Sequence, residues 1–266
     1  VALFDANGDA QWYYGFGGGG TALDRANIVT LDNQGNVYVT GGFSGQNVDV
    51  DPDVTSHILN SNGSSDIFLV KYSNSCVFNN AFSIGGSKGE LAGWIAVNPL
   101  GEIYFTGYSN SDSIDVNPDT ASVYLYGDSG IAFVQDLIVL KYNSNLEYQW
   151  GFRTGRRATD SGQGLRIDSH GDLFITGVTG DANVDFDPGP GVFALTANGT
   201  NDAYISKLDA NGNFVWAKQI GGAIGGDKGS SIRVDINSNV YITGSVNSVA
   251  DLDPGPAVVN FGTQGI

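Results

Sequence analysis

The sequence predicts an all-β chain built from four copies of one unit, and three observations carry that prediction. The first is recurrence. Tyr38-Val39-Thr40-Gly41 returns as Tyr104-Phe105-Thr106-Gly107, Phe174-Ile175-Thr176-Gly177 and Tyr241-Ile242-Thr243-Gly244, at steps of 66, 70 and 67 residues. The second is alternation. Val29/Leu31, Ile95/Val97, Leu165/Ile167 and Ile232/Val234 are apolar pairs spaced two apart, the period of a strand. The third is composition: 39 glycines and only 15% charged residues suit many turns better than salt-bridged helices.

Each copy reads as four strands in order. The first holds the apolar pair, as in "SIRVD" (Ser231 to Asp235). A short turn follows, "DNQGN", "NPLGE", "DSHGD" or "DINSN", whose residues mark a hairpin. The second strand is the Tyr-x-Thr-Gly segment. A long loop then carries Asp-x-Asp-Pro, with an extra short strand expected near Val192 to Thr196. The third strand, "DAYISKL" in its clearest copy, holds a repeated lysine: Lys71, Lys141 and Lys207. After a "DANGN" hairpin the fourth strand carries Trp12, Trp150 or Trp216, with Asn80 in the remaining copy.

A four-stranded antiparallel unit repeated in this way is a propeller blade, because neighbouring blades cover both faces of each sheet. A linear solenoid would need shorter coils. The expected fold is therefore a β-propeller of four repeats of about 67 residues, one propeller region spanning 1–266. Whole repeats fall at 23–88, 89–158 and 159–225; 226–266 starts a blade and 1–22 ends one. Val1 to Trp12 aligns with Ile205 to Trp216, so the two ends together supply most of a blade. This fits either a closed four-bladed ring with both termini in one sheet or part of a larger propeller. The second is favoured, since a chain end inside a central strand leaves backbone groups unpaired. The absence of methionine reads as a mature product or an excised piece.

The stretch "KLDANGNFVWAKQIGG" (Lys207 to Gly222), followed by "DKGSSIRVDINSNVYITGS" and "DLDPGP", resembles the bacterial SBBP-type β-propeller repeat. The resemblance covers essentially the whole chain and departs most at "KYSNSCVFNNAF", Lys71 to Phe82. It implies a propeller in a secreted or cell-surface bacterial protein and implies no enzymatic activity.

The loop motif recurs as Asp49/Asp51, Asp115/Asn117, Asp185/Asp187 and Asp251/Asp253. The loops entering the first strands add Asp24, Glu90, Asp160 and Asp227, one per copy. Both loops leave the same end of a blade, so each entering carboxylate is expected beside its own pair. Oxygen ligands from two loops would suit Ca2+, which takes about 6–8 oxygens. The alternative is turn architecture alone: aspartate before proline is extended, and its carboxylate caps the bend. In either case the middle residue, Val50, Val116, Phe186 or Leu252, points into the core.

One feature breaks the symmetry: Arg153, Arg156 and Arg157 form the basic cluster of a chain whose net charge is −16. They read as local charge balance or as a docking point for an acidic partner or sugar acid. The acidic total disfavours nucleic acid and anionic membranes, and no apolar run is long enough for a membrane helix. Cys76 excludes an internal disulfide, being the sole cysteine. "GFGGGG" (Gly15 to Gly20) lacks the strand–helix context of a dinucleotide loop. Asp168-Ser169-His170 lies in one hairpin and cannot make a triad, whose members converge from separate segments. The expected function is adhesion or binding of a protein or glycan at the cell surface, outside the cell. A hydrolase or lyase with a central-funnel site and a structural spacer are the alternatives.

Overall fold

A computed structural model describes residues 1–17, 24–53, 55–117, 121–127, 134–180, 182–247, 249–253, 255 and 259–262. Gly18 to Gly20, Pro118, Pro254 and the expected boundary at 22/23 lie outside the described residues. The chain is all-β. It opens with a hairpin, β1 (Ala2–Phe4) and β2 (Ala10–Tyr13). Then come β3 (Arg25–Leu31), β4 (Val37–Phe43), β5 (Val48–Asp49), β6 (Ile58–Leu59), β7 (Asp66–Tyr72) and β8 (Phe78–Ile84). The next unit holds β9 (Glu90–Val97), β10 (Ile103–Ser109), β11 (Ser113–Asp115), β12 (Tyr124–Tyr126), β13 (Asp136–Tyr142) and β14 (Tyr148–Thr154). The third holds β15 (Ser161–Ile167), β16 (Leu173–Thr179), β17 (Val184–Asp185), β18 (Ala194–Leu195), β19 (Asp202–Leu208) and β20 (Phe214–Ile220). Last are β21 (Lys228–Val234), β22 (Val240–Ser245), β23 (Ala250–Asp251) and β24 (Asn260–Phe261).

Three antiparallel four-stranded blades result, ordered β3-β4-β7-β8, β9-β10-β13-β14 and β15-β16-β19-β20. β21–β22 begins a fourth unit, and β1–β2 is a separate two-stranded sheet. The expected extra strand is β18, which pairs with β17 as a small hairpin. Every unit has its counterpart: β5–β6, β11–β12 and β23–β24.

The Tyr-x-Thr-Gly signature has a local cause. Each first strand bulges against the second, at Ala26/Ile28, Ala92/Trp94, Gly162/Gly164 and Gly229/Ser231. The bulge drives a carbonyl into the space a side chain would fill: a Cβ on Gly177 would lie 1.9 Å from the Ser161 oxygen. The threonine beside it is buried and donates across the sheet, Thr40 to Phe68 O, Thr106 to Ile138 O and Thr176 to Tyr204 O. The repeated lysine lies over the aromatic ring that opens the signature, Lys71 over Tyr38, Lys141 over Tyr104 and Lys207 over Phe174, at 5.0–5.3 Å.

The core lies between blades. Tyr38, Ile67, Leu69 and Phe82 of the first pack against Ile95, Phe105, Ile138 and Leu140 of the second. Tyr104, Leu137 and Val139 meet Leu165, Leu173 and Ile175 of the third. Trp12 of β2, with Tyr14 and Phe16 just after it, covers the first blade. The Asx-type hairpins are as expected: in "DANGN" Asp209 Oδ1 accepts from the Asn211 and Asn213 amides, and Gly212 takes φ +86°.

Candidate functional site

The Asp-x-Asp loops are hairpin locks. Asp49 Oδ1 accepts from the amides of Asp51 and His57 at 3.2 and 3.0 Å. Asp115 accepts from Asn117 and Val123, Asp185 from Asp187 and Phe193, and Asp251 from Asp253 and Val259. The second position caps the next turn: Asp51 takes the Asp53 amide and the Thr55 hydroxyl, Asp187 the Gly189 amide, Asp253 the Gly255 amide. Asn117 instead donates to Ala121 O. Val50, Val116 and Phe186 are buried in the junction with the preceding element, as expected. Leu252 is 41% exposed, because the sheet β21–β22 has no third strand to close over it among the described residues.

The entering carboxylates serve different segments. Glu90 binds the amides of Gly86 and Ser111 and the Ser109 hydroxyl. Asp227 binds the Gly222 and Asn247 amides, both at 2.8 Å. Asp24 takes the Ser44 amide; Asp160 takes the Gly180 amide and the Thr179 hydroxyl. Glu90 and Asp227 thus staple the end of one blade's fourth strand to the next blade, at the strand ends. The Asp-x-Asp hairpins run away from that end: Asp187 lies beside Trp150 and the Asn211–Phe214 turn at the far end of the third blade. The structure therefore places the three side chains of each copy, one of them Asn117 in the second, on different partners. Among the described residues no three His, Cys, Asp or Glu side chains gather into a metal-holding group.

A second row of acids escaped the sequence reading. Asp66, Asp136 and Asp202 open the third strands and are 0–3% exposed. The signal was available: each lies five residues before the repeated lysine. Their partners come from the fourth strand at one register position, opposite Phe68, Ile138 and Tyr204. Arg153 fills it in the second blade and grips Asp136 at 2.8 and 2.9 Å, with both side chains 4% exposed. Gln219 fills it in the third and donates to Asp202. Ser83 fills it in the first, and there burial, opposed by the Asn62 amide and reinforced by the Glu90 charge, pushes the Asp66 carboxyl up to about 6. The basic cluster is thereby divided. Arg153 works inside the blade, whereas Arg156 and Arg157 are exposed, with Arg156 reaching Ala182 O.

What the acids do not explain is the rim of the second blade. On β12, Tyr124 and Tyr126 are 50% and 72% exposed, with ring centroids 6.3 Å apart, while Leu125 between them turns inward. The matching pairs elsewhere are Ile58/Asn60, Ala194/Thr196 and Asn260/Gly262, so this aromatic step belongs to one blade. Tyr-Leu-Tyr alternation in a segment where the other copies lack it was the sequence signal.

Comparison with known proteins agrees with this architecture. Residues 215–252 match the family model of the beta-propeller repeat. The match runs from the fourth strand of the third blade to Leu252. The chain is also 32% identical over 114 residues to an uncharacterized WD repeat-containing protein of Acanthamoeba polyphaga mimivirus. That alignment takes in 38% of this chain and 8% of the viral protein, so the chain spans a small part of that relative's length.

Proposed function

We propose that the chain is a non-catalytic propeller module that docks a protein partner on its rim, within an exported cell-surface protein. The observation that carries this reading is the Tyr124–Tyr126 step. Tyrosine is enriched at binding hot spots because it offers large, stiff contact area at small entropic cost. Both rings stand on a strand held by β11 on one side, so little order is lost on binding. The buried carboxylates favour a scaffold over an active site: their oxygens are committed to backbone amides and to Arg153. The reading needs no cation, since those same bonds close the loops.

The test is capture of surface-protein extract on immobilised chain, compared with the double variant Tyr124→Ser/Tyr126→Ser. Loss of two hot-spot tyrosines costs about 2 kcal/mol or more, roughly thirtyfold in affinity. Specific partners should vanish from the variant while its circular dichroism stays unchanged. An identical capture profile for both proteins refutes the rim as the docking site.

A further inference from the structure

A cleft of about 400 Å³ lies between the second and third blades. Its walls are Trp150 and Phe152 of β14, the Pro188-Gly189-Pro190 turn, and Phe214, whose ring packs on Phe193 at 4.7 Å. Three polar side chains share it: Asp187, Asn211 and Asn213. Asp187 commits Oδ1 to the Gly189 amide, and its Oδ2 takes no hydrogen bond among the described residues. Among the described residues, Asn213 gives its Nδ2 to Asp209 and keeps its oxygen, and the Asn211 side chain keeps both of its polar atoms. The cleft thus joins apolar ring faces to one carboxylate and two amides, at the small end of the size range of ligand pockets.

The equivalent positions are closed or unbuilt. Asp51 Oδ2 is taken by the Thr55 hydroxyl, and the Tyr14 hydroxyl reaches over that loop to Asp49 O and Asp51 O. Asn117 has no carboxylate and spends its Nδ2 on Ala121. Asp253 belongs to the unit whose sheet has two strands, β21 and β22, among the described residues. Among the described residues, the Asp187 loop joins an uncommitted carboxylate oxygen to a walled cleft.

We propose that this cleft binds a neutral sugar ring of a glycan. A pyranose presents adjacent hydroxyls along its edge and carbon–hydrogen faces above and below. Asp187 Oδ2 and Asn213 Oδ1 accept from hydroxyls, Asn211 donates and accepts, and Pro188, Pro190 and Phe214 meet the faces. A divalent cation would find too few oxygens there. A sugar acid would bring its charge against Asp187 on a chain of net charge −16. The lining includes neither Tyr124 nor Tyr126 and the two tests change different residues, so either reading can fail alone.

The experiment is titration of the intact chain with glucose, galactose, mannose, cellobiose, lactose and mannobiose, with glucuronate as the anionic control, read by NMR chemical shifts. At least one neutral sugar should saturate, and glucuronate should bind about tenfold more weakly or not at all. Asn211→Ala removes an exposed side chain with no other bond, and Asp187→Asn keeps the cap on Gly189; each should weaken binding about tenfold. Asp51→Asn, in the closed loop, should leave it unchanged. The proposal falls if no sugar in the set shifts any resonance at about 50 mM, a concentration that detects even millimolar affinity. It also falls if the Asn211 and Asp187 variants bind like the parent.

Discussion

Replacing Ser83 by glutamine should stabilise the first blade at neutral pH, and the size of the effect follows from its two neighbours. Asp66 is buried at the junction with Glu90 and lacks the fourth-strand donor that Asp136 finds in Arg153 and Asp202 finds in Gln219. Its carboxyl is raised from 3.8 to about 6, a shift that corresponds to about 3 kcal/mol if fully expressed. Screening by nearby water trims this to about 1–2 kcal/mol. Because the folded value lies above the unfolded one, the contribution is fully present below about pH 4 and is lost as pH rises through about 6. The parent should therefore gain stability on acidification from about pH 7 to about 4.5. Ser83→Gln places a neutral donor opposite Phe68, as Gln219 stands opposite Tyr204. Urea unfolding followed by tryptophan fluorescence should give an unfolding free energy higher by about 1–2 kcal/mol at pH 7, and a flatter pH profile. Glutamine adds no charge, so a change in overall electrostatics cannot account for the gain. A parent profile flat across that range, or a variant no more stable than the parent, would refute the reasoning.

Gly177→Ala should be among the most damaging single changes, since its Cβ meets the Ser161 carbonyl oxygen at 1.9 Å; a loss of about 3 kcal/mol or more is expected in thermal unfolding. Cys76 sits at φ +62° where the equivalent hairpins carry Gly8, Leu146 and Gly212, all at positive φ, so Cys76→Gly should raise stability by about 0.5–1 kcal/mol in urea titrations. The same turn makes the thiol a poor nucleophile, because burial, followed by the Asp53 charge, pushes it up. Arg153→Met leaves the Asp136 carboxylate buried without its partner and should cost about 3–5 kcal/mol, most of it recovered by Asp136→Leu in the same chain.

Repeats are what made this fold legible. Four copies of Tyr-x-Thr-Gly fixed the strand frame, because the glycine is required by a backbone bulge and the threonine by a cross-strand bond, both local demands. The hairpins were equally legible, since Asp209 or Asp5 and the glycine after it satisfy one turn among themselves. The site was less so. Asp49, Asp115, Asp185 and Asp251 could be seen to recur, but whether recurrence meant a cation or a turn depends on what their oxygens touch. Arg153, Arg156 and Arg157 look alike in sequence, yet one points into the blade and two point out.

By itself the sequence determined the all-β class, the period of about 67 residues, the four strands of a blade and the inward residue of three of the four Asp-x-Asp loops, Val50, Val116 and Phe186, because these follow from spacing and turn chemistry within one copy. Only the tertiary structure decided the junctions: which carboxylate staples which strand end, why Ser83 leaves Asp66 in need, and why one cleft of several related ones stays open. Those depend on side chains that the chain keeps apart, Asp66 and Ser83 on paired strands of one blade and Trp150 and Asn211 on neighbouring blades, meeting only once the strands pair and the blades pack.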